Sequence, residues 1–257
     1  MEKLLNDIQT SSEQAEKIAK IIDDFQSSIQ MFMSRQDPKN IPEIRQTYLR
    51  ERYKSWGQFG WTTPPEASLS EFSNISPPTT LKEADALMMP YLSDYAVSNI
   101  FDALQEYCLN PYNLNEAISC YNYGLYTACA SLIFGLLDFK VLSMQQTPAK
   151  GKQRRDVGRA GANRIMRQYN DETTLYNSFF SITLLNDNLL SCCETFFQHG
   201  GDFKKEPLLI NRNFISHGMN KLPPTKTDCI KLFLLLYNFS EFLEHYALVL
   251  EANASEY

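Results

Sequence analysis

The residues of this chain best suited to chemistry lie in one hexad, Arg212-Asn213-Phe214-Ile215-Ser216-His217. The hexad combines a permanent cation, an amide and the side chain that titrates near neutrality. With a helical step of about 100° per residue, its polar side chains share one arc that runs about 140° from Arg212 to His217. A surface of this kind could bind an anion and transfer a proton. The apolar residues of the segment fall on the opposite side, and they are Phe214, Ile215 and Met219.

The end of this segment is marked in the sequence. Gly218 and Asn220 predict a helix C-terminus, and Pro223 and Pro224 reinforce the stop. We therefore expect a helix from Glu206 to Gly218 with His217 in its last turn. A helix C-terminus stabilises a protonated imidazole, which suits a histidine that carries a proton for part of the time.

Asp138 is the second residue with predicted chemical importance. It interrupts the apolar run from Leu132 to Leu137, so we expect it to be largely buried. A buried carboxylate without a partner is unfavourable, so a cation or hydrogen-bond donor should face it. Arg212 and His217 are the natural candidates. The alternative is a carboxylate at the helix edge that meets Lys140 or solvent.

The residue types also indicate which reaction the hexad could support. The sequence has no H-E-x-x-H motif, no carboxylate cluster with metal-binding spacing and no glycine-rich phosphate loop. RNA supplies its own nucleophile, the ribose 2′-hydroxyl, so its cleavage needs only proton transfer and stabilisation of a charged phosphorane. His217 could move the proton, Arg212 could bind the phosphate, and Asn213 could contact the phosphate or fix the imidazole ring. The alternative is a set of structural polar groups that pack one helix against its neighbours.

A basic segment provides a candidate RNA-binding surface. Residues 150–167 contain a single acid, Asp156, in a chain whose net charge is −6. A concentrated positive element on an acidic body suits selective contact with phosphates. The alternative is a solvated loop without a ligand. The basic residues are Lys150, Lys152, Arg154, Arg155, Arg159, Arg164 and Arg167.

Composition sets broader limits on the protein. The hydrophobic fraction of 44% is sufficient for a sizeable core. The N-terminus has no signal-peptide pattern and no stretch approaches about 20 apolar residues, which favours a cytoplasmic protein without a membrane span.

The six cysteines lie in apolar helical stretches and predict reduced core residues, with a zinc site or disulfide as the alternative. No cofactor is predicted. His199 and His245 are interpreted as surface or capping residues.

Helical periodicity dominates the chain and strand-like alternation is nearly absent, which predicts an all-α helical bundle. Residues 1–110 form a predicted N-terminal helical and irregular accessory region, which begins with an amphipathic helix at residues 4–34. Residues 111–257 form the predicted bundle. A short helix is predicted from Arg45 to Lys54. The longer predicted helices are Lys82–Leu109, Asn115–Met144, Asn163–Gln168, Thr174–His199, Glu206–Gly218 and Thr227–Ala252.

The hexad and its surroundings resemble the HEPN family, whose signature is an arginine, usually a following polar residue, and a histidine four to six positions beyond the arginine. The apolar approach Pro207–Ile210, Gly218 and the apolar helix Cys229–Leu250 resemble the second half of that domain. The segment Asn115–Asp138 is similar to the helix that opens many prokaryotic HEPN domains. The resemblance covers roughly residues 112–250.

This resemblance implies a HEPN-like bundle and a metal-independent endoribonuclease, with Arg212, Asn213, His217 and Asp138 as its site residues. It further implies a homodimer with two facing hexads, products with a 2′,3′-cyclic phosphate, and a toxin, abortive-infection or antiviral defence role. An antitoxin or defence complex would then be a partner. One alternative is a non-catalytic HEPN-type module that binds RNA, a nucleotide or a protein. Another is a helical adaptor that uses its N-terminal amphipathic helix.

Overall fold

The computed structural model describes residues 37–107, 110–145, 154–172 and 180–254, and side chains in those ranges except at 69–70, 166–172 and 243–254. These ranges contain helices and no strand, which confirms the all-α prediction. The amphipathic helix predicted at residues 4–34 lies outside the described residues. The described α-helices are α1 Glu43–Gln58, α2 Leu69–Asn74, α3 Leu81–Met88, α4 Asp94–Tyr107, α5 Pro111–Asn122, α6 Tyr126–Ser143, α7 Gly158–Glu172, α8 Phe180–Phe196, α9 Arg212–Ser216 and α10 Lys226–Ala254.

Two long predicted helices are broken in the structure. The prediction Lys82–Leu109 is wrong because Pro90 lies in a 3₁₀ turn, Met89–Tyr91, that separates α3 from α4. The prediction Asn115–Met144 is wrong because Gly124 adopts a φ of 72° between α5 and α6. Glycine adopts this left-handed conformation without a steric cost. Hydrophobic periodicity continues across both breaks, so periodicity alone did not reveal them.

The packing of α1 on α8 builds one side of the core. Gly57 makes the close approach possible, because a Cβ atom there would lie 2.7 Å from the carbonyl oxygen of Asn188. The Asn188 amide nitrogen donates to the carbonyl oxygens of Tyr53 and Trp61, at 2.9 and 3.0 Å. Ser191 donates to the carbonyl oxygen of Lys54 at 2.7 Å. These side-chain bonds fix α8 to α1 and to the residues that follow α1.

The remaining core lies around α10, which packs against α4, α6 and α8. Residues from both sides of the predicted boundary at 110/111 belong to one hydrophobic cluster, which includes Trp56, Leu104, Ile133 and Phe233. The boundary itself stays a prediction. This shared core means that α1 to α4 contribute directly to the packing of the helices that carry the hexad.

A buried ion pair crosses this core. Lys231 of α10 is 1% exposed, and its ammonium lies 2.7 Å from Oδ1 of Asp85 in α3. The indole nitrogen of Trp61 donates to the same oxygen at 2.9 Å. The ammonium also lies 4.9 Å from the centroid of the Trp61 ring. The ammonium is therefore compensated by a carboxylate and by an aromatic face inside the protein.

The described cysteines are free thiols, as predicted, and Cys108 lies outside the described residues. Cys129, Cys192, Cys193 and Cys229 are buried. Desolvation by burial raises the pKa of Cys193 to about 12. The Cys193 thiol therefore stays protonated at neutral pH, and the buried cysteines pack as small apolar groups.

Helix α6 bears on the predicted cellular location of the protein. It is the one helix within the described residues that is long and apolar enough to cross a membrane by length and composition alone. In the fold, 44% of it is buried, and Cys129, Ile133 and Leu137 are core residues. The cytoplasmic location stays a prediction.

Candidate functional site

The hexad forms a helix of five residues, α9, because both of its ends are capped. At the start, Oδ1 of Asn211 accepts the N–H groups of Asn213 at 2.9 Å and Phe214 at 3.4 Å. The predicted helix Glu206–Gly218 is therefore too long. Pro207 to Ile210 are apolar but precede this cap, and they do not form a helix.

The end of α9 has the geometry that Gly218 predicts. Gly218 adopts a φ of 63°, and its N–H donates to the carbonyl oxygen of Ile215 at 3.1 Å. The N–H of Met219 donates to the carbonyl oxygen of Phe214 at 2.8 Å. This pair of bonds is a Schellman motif. His217 is the C-cap residue, so the predicted stop and the place of the histidine are confirmed.

The predicted division of the hexad into two faces is confirmed within α9. Phe214 and Ile215 are buried, whereas Arg212 and Asn213 are half-buried and His217 is exposed. Met219 is different, because its side chain is 47% exposed instead of facing the core. The chain leaves the helix at Gly218, so the helical step no longer sets the direction of Met219.

Asp138 is the partner of Arg212, one of the two candidates that the sequence analysis names. Its Oδ2 atom accepts from Nε of Arg212 at 3.0 Å and from Nη2 at 2.8 Å. The Arg212 side chain is 29% exposed and the Asp138 side chain 16%. A cation in the first turn of a helix is disfavoured by the helix dipole, and the carboxylate on α6 compensates for it. Oδ1 of Asp138 is buried without a hydrogen bond from any described residue.

Asn213 holds this arginine to the end of α8. Its Nδ2 donates to the carbonyl oxygen of Gln198 at 3.1 Å, while its Oδ1 accepts from Nη1 of Arg212 at 3.3 Å. Asn211 donates to the same Gln198 oxygen at 3.0 Å. Asn213 thus orients the guanidinium, and its side chain makes no hydrogen bond with the His217 imidazole.

His217 faces solvent beside an aromatic ring that the sequence did not single out. The imidazole packs edge-on against Phe203, with 5.3 Å between the ring centroids. Phe203 also contacts Phe214 at 5.1 Å and has a left-handed backbone with a φ of 57°. A glycine pair, Gly200 and Gly201, was the only local signal of this tight turn. Within the described part of the chain the imidazole makes no side-chain hydrogen bond.

The predicted RNA-binding residues are described in part. Lys150 and Lys152 lie outside the described residues, and Arg167 lies in α7 with a side chain that is not described. Arg154 and Arg155 are exposed. The other two side chains are paired with acids: Arg159 lies 3.2 Å from Glu194, and Arg164 lies 3.9 Å from Asp156.

The described part of the basic segment lies close to the hexad along α6. Arg155 donates to the carbonyl oxygen of Leu142 at 3.4 Å. Leu142 follows Asp138 by one turn of α6, a rise of about 6 Å. Asp138 in turn holds Arg212.

A second connection runs along α8 and the residues after it. Arg159 pairs with Glu194, which lies four positions before Gln198. The carbonyl oxygen of Gln198 is the anchor of Asn213. Two different helices therefore bring the basic segment and the hexad to the same end of the bundle.

The fold and this site describe an all-α protein with an oriented guanidinium, an exposed imidazole and a neighbouring group of arginines. No family model, curated protein or solved structure matches this chain. The resemblance to HEPN domains accordingly rests on the residues of the chain itself.

Proposed function

We propose that this protein is a metal-independent endoribonuclease of the HEPN type that acts on cellular RNA as a toxin or antiphage defence effector. The observation that carries the proposal is the fixed orientation of Arg212 next to an exposed histidine. Asp138 and Asn213 fix the Arg212 guanidinium, and an exposed imidazole follows five residues later. These are the two groups that RNA cleavage through the 2′-hydroxyl requires.

The contacts of Arg212 leave it able to bind phosphate. Its bonds to Asp138 and Asn213 engage Nε, Nη1 and Nη2 once each. Both terminal nitrogens therefore keep one N–H for the non-bridging oxygens of a phosphate. Because the guanidinium is already oriented, little side-chain entropy is lost when the phosphate binds.

In the proposed reaction, the 2′-oxygen forms a bond to phosphorus while the bond from phosphorus to the 5′-oxygen breaks. The products are a 2′,3′-cyclic phosphate and a 5′-hydroxyl. The proton of the 2′-hydroxyl must leave, and the departing 5′-oxygen must receive one. His217 performs one of these transfers, and the His217 of a second copy in a homodimer performs the other.

The direct test is cleavage of RNA by the purified full-length protein in excess chelator. We expect fragments with 5′-hydroxyl and 2′,3′-cyclic phosphate ends, identified by end-specific ligation and sequencing. The same 5′-hydroxyl ends should accumulate in cells that express the protein. RNA that binds but stays intact would contradict the proposal and favour the non-catalytic module.

The arginines next to the hexad give a separate prediction for RNA binding. Arg154 is exposed and pairs with no acid among the described residues, whereas Arg159 shares its charge with Glu194. Replacing Arg154 with glutamine should reduce the slope of log affinity against log salt by about 1. Arg159→Gln should reduce the slope by less, because its ion pair already offsets the charge.

Fluorescence anisotropy with a labelled RNA across a salt series measures these slopes. Lys39→Gln is the matched control, because Lys39 is exposed in the 3₁₀ turn Pro38–Asn40 and lies outside the basic segment. Its slope should equal that of the wild type. An unchanged slope for Arg154→Gln would show that Arg154 does not contact the RNA.

A further inference from the structure

A cleft of about 380 Å³ opens on a part of the bundle that the proposed ribonuclease site does not use. Three of its lining residues, Asp94, Tyr126 and Lys226, are the first residues of α4, α6 and α10. Tyr121 and Asn122 line it from the last turn of α5. This volume falls within the range of about 300–1,000 Å³ that is typical of small-molecule sites.

The floor of the cleft is aromatic. The rings of Phe101 and Tyr121 lie 5.5 Å apart at 78°, and those of Tyr121 and Tyr126 lie 6.3 Å apart at 62°. Phe101 and Tyr126 are only half-buried, so parts of their rings are open to the cleft. Ring faces and edges arranged in this way provide good packing for another flat ring.

The rim of the cleft carries a cation that can change partners. The ammonium of Lys226 lies 3.2 Å from Oδ1 of Asp94 and 5.6 Å from the centroid of the Tyr121 ring. The Asp94 side chain is 94% exposed and that of Lys226 is 50% exposed. Exposed pairs of this kind are weak, so a ligand anion can replace Asp94 beside the ammonium.

The helix starts add to this positive character. A helix N-terminus carries a partial positive charge, and the first residues of α4, α6 and α10 all line this cleft. At the start of α6 the N-cap residue, Leu125, provides no side-chain hydrogen bond. An anion near Tyr126 could therefore accept from backbone N–H groups that no cap side chain occupies.

The hydroxyl of Tyr121 is an independent indication of a ligand. Tyr121 is 7% exposed, and its buried hydroxyl meets no acceptor among the described residues, because the nearby ammonium of Lys226 can only donate. Burial raises the pKa of Tyr121, and the nearby Lys226 charge opposes that shift only in part. The hydroxyl is thus a protonated donor at neutral pH. A buried donor without an acceptor is unfavourable, and a ligand oxygen or nitrogen would correct this.

We infer that this cleft binds a small ligand in which a flat aromatic ring carries a phosphate or carboxylate group. The ring packs on Phe101 and Tyr126, the anion lies at Lys226 and the start of α6, and the Tyr121 hydroxyl donates to the ligand. Twelve positions of α6 separate Tyr126 from Asp138, a rise of about 18 Å. The cleft is therefore a second site, separate from the hexad.

The test is a titration of the full-length protein with small ligands, in which binding is measured by calorimetry and by amide chemical shifts. Phenyl phosphate is the main probe, and phenol and inorganic phosphate supply its two halves. We expect each half to bind at least tenfold more weakly than phenyl phosphate, a difference of about 1.4 kcal/mol. Phosphate that binds as tightly as phenyl phosphate, or a lack of phenyl phosphate binding, would overturn the inference.

Titrations with adenosine monophosphate and benzoate distinguish a nucleoside phosphate from a smaller aryl anion as the class of ligand. Tighter binding of the nucleotide than of phenyl phosphate would indicate a nucleoside phosphate. Binding of phenyl phosphate and benzoate without the nucleotide would indicate a smaller aryl anion. Both outcomes support the cleft.

Variants locate the binding site. Lys226→Met should weaken phenyl phosphate binding at least tenfold, while Lys39→Met, the matched exposed lysine, should not change it. Ser98→Trp fills the cleft and leaves Lys226 and Asp94 in place, so it should also abolish binding. Circular dichroism confirms that each variant is folded.

Undiminished binding by Lys226→Met or Ser98→Trp would place the ligand elsewhere and overturn the inference. RNA cleavage by either variant tests the hexad separately.

Discussion

Replacing His217 with alanine should lower the rate of RNA cleavage by about 10²–10⁴-fold, the usual contribution of a general acid or base. His217 is exposed at the C-cap of α9, and its imidazole makes no side-chain hydrogen bond within the described ranges. The folded protein should consequently tolerate the change with little loss of stability. Single-turnover cleavage of a defined RNA and thermal unfolding measure the two effects.

His199 is the matched control for this experiment. It is also exposed, but its Nδ1 accepts the backbone N–H of Gly201 at 3.1 Å, so it has a structural partner. His199→Gln keeps an acceptor on the side chain and should cleave RNA at nearly the wild-type rate. Full activity of His217→Ala, or an equal loss in both variants, would show that His217 does not transfer the proton.

The largest effect on stability is expected at Asp85. Asp85→Ala should lower the free energy of unfolding by about 3–5 kcal/mol, the usual cost of leaving a buried charge without its counter-ion. The ammonium of Lys231 is 1% exposed and its ion-pair distance to Asp85 is 2.7 Å. The indole N–H of Trp61 would lose the same acceptor. Urea denaturation at neutral pH measures the change.

Two further variants separate burial from charge pairing. Lys231→Met keeps an apolar stem of similar length and leaves Asp85, whose side chain is 30% exposed, in contact with water. Its cost should be clearly smaller than that of Asp85→Ala. Glu51→Ala breaks a surface pair with Lys54 and should change stability by less than about 1 kcal/mol. Similar losses in all three variants would contradict this account.

The sequence predicted the helical class and one important contact because both depend on simple rules. A lone carboxylate in an apolar run needs a partner, and Asp138 has Arg212. The same rule applied to Lys231, between Ile230 and Leu232, would have predicted a buried ammonium with an acidic partner, although not that the partner is Asp85. Local turn chemistry was equally informative at Gly218, where the Schellman motif ends α9.

Other features depend on tertiary contacts and have no comparable local signal. Phe203 reaches His217 through a turn in which two residues other than glycine, Asp202 and Phe203, follow Gly201 in the left-handed conformation. The start of α9 was misplaced because the Asn211 cap ends an apolar approach that looks helical. The cleft arises where the starts of three helices meet, and periodicity within one segment cannot show such a convergence.

The contact between α1 and α8 also limits how early the chain can fold during translation. Asn188 bonds to the backbone of Tyr53 across 135 positions, so this contact forms only after most of the protein has been translated. At a bacterial or eukaryotic elongation rate, the delay is on the order of ten seconds. During that interval the surface of α1 around Gly57 lacks the α8 residues that cover it in the folded protein. The nascent chain thus exposes a helix surface that is buried in the folded protein, well before the hexad is translated.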